Sequence, residues 1–259
     1  MVRPDLGTCP DRRTFVDLIS LFPNDLDFAK AFFSTRAPMI MYADRQTTLL
    51  NYFTSMLDRL GPSQWWPGET PFEIAVGAIL TQNTNWQNVE KAIWNLRNHN
   101  LLIPERMYTV PVEDLSELIR PAGSFRIKAA RLKNFIHFLR QECRFDFPAM
   151  GKWETEPLRE ALLTVKGIGP ETADSILLYA LGHPTFVVDA YTRRICNRHM
   201  LVPEDVPYEE LREFFMDALP PEVPLYNEYH ALLVRVGKTW CRKKNGLCKE
   251  CPLKPFLLE

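Results

Sequence analysis

Apolar positions along this chain recur at intervals of three and four. Leu49, Leu50, Phe53, Met56, Leu57 and Leu60 form one such stripe, the period of a helix with a single buried face. A helix is therefore predicted from Thr47 to Leu60, ended by Gly61-Pro62. The same reading predicts a buried helix over Phe72–Leu80 and a polar junction at Thr81-Gln82-Asn83-Thr84 that can cap the next helix. That helix opens at Trp86 and runs through Val89, Ile93, Trp94 and Leu96. Further helices are predicted at Val112–Ile119, Ile127–Leu139, Trp153–Thr164, Glu171–Leu181, Asp189–His199, Tyr208–Leu219 and Tyr226–Trp240. No stretch alternates with period two, so the predicted fold is all-α. Residues 1–45 carry short helical patterns broken by Pro10, Pro23 and Pro38 and read as an appendage without a motif.

Composition changes this picture little. With 259 residues and 46% hydrophobic content the chain can bury a large core. No apolar run reaches the ~20 residues that span a bilayer, and Arg3, Asp5, Asp11, Arg12 and Arg13 interrupt any signal-like pattern at the start. A cytoplasmic monomer without membrane contact is the expectation. The net charge of −1 by itself argues against a nucleic-acid partner, but the charges are unevenly placed. Arg120–Arg144 holds seven basic residues against Glu142 alone, and Arg235–Lys254 seven against Glu250 alone. Acids collect elsewhere, as between Glu204 and Glu222. Either basic cluster alone could be a solvated helix face.

The candidate chemistry lies between Leu162 and Arg194. Val165-Lys166-Gly167-Ile168-Gly169 separates two predicted helices. Glycines around one aliphatic residue permit a sharp turn and a close approach. Amides at the start of the following helix suit an anion, a phosphodiester being the natural one. Downstream, Asp189 follows Thr185, Phe186, Val187 and Val188 and opens the next helix. It is either a helix cap or a carboxylate placed for catalysis. Upstream, Trp65-Trp66-Pro67-Gly68 sets two indoles side by side. Either one packs and the other covers surface, or they wall a planar ligand.

These motifs together resemble the helix-hairpin-helix DNA glycosylase superfamily, in its endonuclease III-like branch. The resemblance runs from about Thr47 to Pro252 and rests on Leu80–Thr84, the Val165–Gly169 hairpin followed by Thr172-Ala173, and Val188-Asp189. It implies two interleaved helical lobes over residues 46–240 with a cleft between them. A damaged base of double-stranded DNA would flip into that cleft while Val165, Lys166, Gly167, Ile168, Gly169 and Thr172 hold the backbone. Gln82 and Asn83 would fill the gap left by the flipped nucleotide, or else merely cap the junction. In bifunctional relatives a lysine stands two residues after the second hairpin glycine and forms a Schiff base. Here that residue is Glu171, which cannot, so the resemblance implies a monofunctional enzyme. Glu171 also suits a first helical turn electrostatically.

One subgroup, the 3-methyladenine DNA glycosylase III type, resembles the chain further in Trp65-Trp66-Pro67, Gln82-Asn83-Thr84-x-Trp86 and Gly167-Ile168-Gly169-x-Glu171. There the residues matching Trp65 and Trp86 sandwich the base. Electron-rich indoles suit N-alkylated purines, which carry positive charge. Lys238 matches a lysine near that subgroup's active site, or else is a solvated or phosphate-contacting lysine. Asp189 would stabilise the oxocarbenium-like sugar and orient or deprotonate water. Adenine-mismatch or pyrimidine-lesion excision, or DNA binding without catalysis, are the alternatives.

Residues 241–259 form a cysteine loop. Cys241, Cys248 and Cys251 fit the first three positions of the C-x6-C-x2-C-x5-C pattern that the endonuclease III-like branch uses for a [4Fe-4S] cluster. The fourth is Leu257. The resemblance implies a cluster held by three cysteines plus an outside ligand, a labile cluster, or none.

Overall fold

The computed structural model describes residues 37–63 and 68–257, with side chains described from Asp44 onward. Among these residues the chain is helical and without strands. The elements are α1 (Ala37–Leu60), α2 (Pro71–Leu80), α3 (Trp86–Asn98), α4 (Pro104–Thr109), α5 (Val112–Leu118), α6 (Phe125–Cys143), α7 (Phe147–Met150), α8 (Thr155–Leu163), α9 (Pro170–Ser175), α10 (Ala190–Arg198), α11 (Tyr208–Met216) and α12 (Val223–Thr239). Short 3₁₀ turns lie at Arg120–Ala122, Cys248–Glu250 and Lys254–Phe256, and α9 continues directly into a π-helical turn, Ile176–Ala180.

Boundaries moved where caps overrule the apolar period. Proline occupies the first turn of α2, α4, α7, α9 and α12, where its missing N–H costs nothing and its fixed φ favours the helix. Helix α12 thereby begins three residues before the predicted Tyr226. Trp153, predicted as helical, instead precedes α8, whose N-cap is Glu154. Helix α4 was not predicted, because its one buried residue, Met107, leaves no periodic stripe.

Two cores form. The first gathers Phe72, Val76, Ile79, Leu96, Leu132, Phe135, Leu162 and Leu177 from α2–α9 and the π turn. The second is aromatic. Phe186 is fully buried and stacks on Phe215 at 4.1 Å between centroids, with Tyr226 and Tyr229 edge-on at 5.4 and 5.7 Å. Each such ring pair contributes about 0.5–1.5 kcal/mol beyond its area. Helix α1 joins this second core: the Tyr229 hydroxyl donates to Leu49 O at 2.8 Å and Ser55 Oγ to Pro252 O at 2.7 Å. The lobe made of α10–α12 thus takes its remaining helix from the start of the chain. The connector Thr185–Val188 crosses from one core to the other and delivers Asp189 at the boundary.

Candidate active site

The hairpin is built around one obligatory glycine. Gly167 has φ +100°, and a Cβ there would overlap the Arg131 side chain, so both backbone conformation and space demand glycine. Val165 and Ile168 anchor the turn in the core while Lys166 is exposed. Gln82 ties the α2–α3 junction to it: its Nε2 donates to Gly167 O at 3.1 Å and to Thr172 Oγ1 at 2.9 Å, and its Oε1 accepts from Arg131. With its amide so engaged, Gln82 serves as a brace between lobe segments. Its neighbour Asn83 is exposed and left-handed at φ +53°. Gly169 is the N-cap of α9.

Asp189 is the N-cap of α10. Its Oδ1 accepts from Thr192 N at 2.7 Å and Thr192 Oγ1 at 2.9 Å, and its Oδ2 stands 3.7 Å from His230 Nε2. The other imidazole nitrogen of His230, Nδ1, is hydrogen-bonded to the Tyr179 hydroxyl. Tyr179 lies in the π turn, where the helix widens: Leu181 N–H reaches back to Ile176 O. Such turns re-aim side chains and recur at functional sites. Burial alone would raise the Asp189 carboxyl; the His230 imidazole and the Thr192 donors outweigh it and hold the group below the ordinary carboxylate value. Glu171 moves the opposite way. Desolvation against the cleft wall, then the charge of Asp189, push its carboxyl up, with His230 opposing. Two carboxylates in one cleft are thereby held apart in acidity, the pattern that assigns one to remain anionic.

A buried polar cluster fixes the approach to Asp189. Asp174 accepts from Arg159 Nε at 2.8 Å and Nη2 at 3.1 Å, from Thr185 Oγ1 at 2.9 Å and from the Tyr208 hydroxyl at 2.8 Å. The same Tyr208 oxygen accepts from Val188 N at 3.4 Å. Helices α8, α9 and α11 are therefore tied to the residue that precedes Asp189.

The cleft has a volume of about 1950 Å³, including its open mouth. Thr81–Trp86 form one wall, Glu171, Thr172 and Ser175 the floor, and Asp189, Tyr191, His230 and Lys238 the other wall, with Arg194, Arg242 and Lys243 at the edge. Gly237 lets α12 press onto Tyr191, since a Cβ there would enter that ring. Trp86 faces the cleft, its indole N–H bonded to Glu90 at 2.7 Å. Lys238 lines the cleft and is exposed. Trp65, Trp66 and Pro67 lie outside the described residues. The chain entering them is pinned to α12, through Ser63 N to Glu228 at 2.8 Å and Arg235 to Leu60 O and Gly61 O at 2.7 and 2.8 Å.

Cys241, Cys248 and Cys251 line one small cavity of about 20 Å³, with Leu257, Ile195 and Val236 among its walls. Among the described residues, no three His, Cys, Asp or Glu side chains converge closely enough to hold a single metal ion. Three thiols of the four-cysteine cluster pattern share this lining, and the fourth position, Leu257, offers no donor. Arg198 Nη1 stands 3.3 Å from Cys241 Sγ, a cation suited to a thiolate.

The profile of the HhH-GPD superfamily of base excision DNA repair proteins matches residues 76–221, which span both the hairpin and Asp189. The chain belongs to that superfamily. Among similar proteins is the "Putative DNA repair glycosylase MJ1434" of Methanocaldococcus jannaschii, 48% identical over 205 residues, covering 78% of this chain and 92% of that protein. Endonuclease III of Thermotoga maritima is 31% identical over 184 residues, covering 71% and 81%. Among solved structures, the 3-methyladenine DNA glycosylase (MagIII) of H. pylori bound to 1,N6-ethenoadenine superposes with a TM-score of 0.65 at 28% identity, covering 75% of this chain and 97% of that one. The helical fold and the DNA glycosylase family expected from the sequence are those found.

Sequence reading missed His230, Tyr179, Thr192 and Arg131. A histidine on the apolar stripe of α12 looks like core in one dimension, and only the fold brings it to Asp189.

Proposed function

We propose that the protein is a monofunctional DNA glycosylase that flips an alkylated purine, 3-methyladenine-like or 7-methylguanine-like, out of double-stranded DNA and hydrolyses its N-glycosidic bond, leaving an abasic site. The observation that carries this reading is the carboxylate pair. Asp189 is held anionic in the cleft, and Glu171 occupies the place where an amine would be needed for strand cleavage. As the bond to the base breaks, positive charge develops on the sugar, and the Asp189 carboxylate stabilises it and orients or deprotonates the incoming water. An N-alkylated purine already carries positive charge, so its departure needs no acid, and Trp86 offers a ring face to a planar cation. The ethenoadenine held by the H. pylori structure supports an alkylated purine as the class. Arg194, Lys238, Arg242 and Lys243 supply positive charge along the cleft edge for the phosphates.

The test is base release from duplexes bearing 3-methyladenine, 7-methylguanine, 1,N6-ethenoadenine, adenine opposite oxidised guanine, or oxidised pyrimidines, with and without alkali. Release of alkylated purines with strand breaks only after alkali is expected. Breaks without alkali, or a borohydride-trapped adduct, overturn the monofunctional assignment; release of only the other bases overturns the substrate class.

Cys241, Cys248 and Cys251 would hold an iron–sulfur cluster through three thiolates, with a ligand from outside the loop at the fourth iron. The cluster would close the C-terminal loop on itself just after α12. Brown protein absorbing near ~400 nm is expected after anaerobic purification, and colourless, iron-free protein excludes it.

A further inference from the structure

We infer that His230, with its tautomer fixed by Tyr179, is a positioning residue that directs an N–H at Asp189 Oδ2 and keeps that carboxylate anionic and aligned. The inference rests on the reading of Asp189 as the catalyst. Three observations converge on it. His230 is buried and its Nε2 has no hydrogen-bond partner, a costly state for a polar atom unless the site uses it. That atom faces Asp189 Oδ2 at 3.7 Å, too long for a hydrogen bond and close enough for electrostatic attraction. The opposite nitrogen is engaged by Tyr179, from the one turn of the helix that departs from α geometry.

The tautomer follows from the partners. A carboxylate only accepts. Were Nε2 the deprotonated nitrogen, its lone pair would face an anion. With the Tyr179 hydroxyl donating to Nδ1, Nε2 carries the proton, and the imidazolium also presents N–H there. The two oxygens of Asp189 thereby divide their tasks. Oδ1 is consumed by Thr192 at the head of α10, and Oδ2 is steadied by His230. Without His230, Glu171 would stand beside Asp189 uncompensated, and like charges in one cleft raise a carboxyl. The other titratable or charged groups near the pair are Cys196 of α10, and Arg194 and Lys238 on the cleft wall.

The experiment combines a substitution-free measurement with variants of the full-length protein. Histidine ¹⁵N spectra of the wild type should show Nε2 protonated at every pH; an Nδ1–H tautomer overturns the inference. Carbon-13 titration of the Asp189 carboxyl, assigned against Asp189→Asn, should move up by about one pH unit in His230→Leu and less in His230→Gln, whose amide N–H reaches a similar place. An unmoved midpoint in a folded His230→Leu overturns it. Should that variant fail to fold, Tyr179→Phe, which keeps the ring, must yield a mixed His230 tautomer, and a pure Nε2–H state there removes Tyr179 from the proposal. Single-turnover base release should fall at least about tenfold in His230→Leu, with DNA affinity little changed. Wild-type protein that released no base would defeat the glycosylase reading, while the tautomer and titration would still decide this one.

Discussion

Arg159 of α8 and Asp174 of α9 meet through two hydrogen bonds of 2.8 and 3.1 Å in the interior, the carboxylate wholly enclosed. The pair straddles the hairpin, so the two helices that flank it are locked by charge as well as by apolar contact. Arg212 stands 3.6 Å from the same carboxylate and donates to Thr185 Oγ1 at 2.9 Å. Removing the central anion would leave two buried guanidinium groups with only the half-exposed Glu209 (Arg159, 2.8 Å) and Glu156 (Arg212, 2.8 Å) as charged partners. Asp174→Asn should therefore lose about 3–5 kcal/mol of stability, the scale for breaking a buried ion pair, read by urea denaturation. A loss below about 1 kcal/mol would mean the cluster behaves as surface charge.

Gly167→Ala forces a side chain into the left-handed region and into Arg131. About 1–3 kcal/mol of strain should appear as lower stability. Because the collision displaces Arg131 and with it Gln82, affinity for undamaged duplex should drop too, measured by fluorescence anisotropy. Gly169→Ala, where a Cβ meets nothing within 4 Å, should be milder on stability, which separates the two glycines.

Asp189→Asn removes the charge and keeps a good N-cap for α10, so folding and DNA affinity should survive while base release falls by about 10²–10⁴. The pH dependence carries the same information. The Asp189 carboxyl lies below its ordinary 3.8, so it stays anionic until the pH drops beneath that value. Its contribution to stability and rate is present above that range and is lost only as pH falls through it. Glu171, shifted upward from 4.5, takes up its proton first. Single-turnover release should consequently hold steady on the acid side down to about pH 4; a decline centred near neutrality would assign the essential base to another group.

Glu171→Lys places an amine where bifunctional relatives of the resembling family carry one. The variant should acquire strand scission without alkali and a borohydride-trappable adduct. Base release without either would show that the amine, at this position in this cleft, does not reach the sugar.

Lys128 is almost fully buried, donating to Leu80 O at 2.9 Å and Ala122 O at 2.7 Å. It closes the C-terminal end of α2, immediately before the Thr81–Thr84 junction. Lys128→Met should cost about 1–3 kcal/mol for the abandoned carbonyls. Burial, aided by Arg131, lowers the ammonium to about 8, against about 10.4 in an unfolded chain. Between those values the unfolded state binds more protons, so wild-type stability relative to the variant should rise from about pH 8 to 10 and stay level below. Paired urea melts across that range test the sign.

The sequence alone determined the all-helical class, because a three-to-four apolar period repeated over most of the chain admits no other secondary structure. It also determined the hairpin and the acid that follows it, since a turn needing positive φ and a helix needing a cap each restrict residue type at a single position. Trp65, Trp66 and Pro67 were legible only as a local oddity and lie outside the described residues. What the tertiary structure decided is everything that depends on long-range pairing. Gln82 became a brace for Gly167 across 85 positions, Asp174 the centre of a cluster drawn from separate helices, and α1 a member of the second lobe. His230 became the neighbour of Asp189. None of these has a one-dimensional signature, because the energy of a buried polar atom depends on which partner the fold brings to it, and that partner lies at no fixed spacing along the chain.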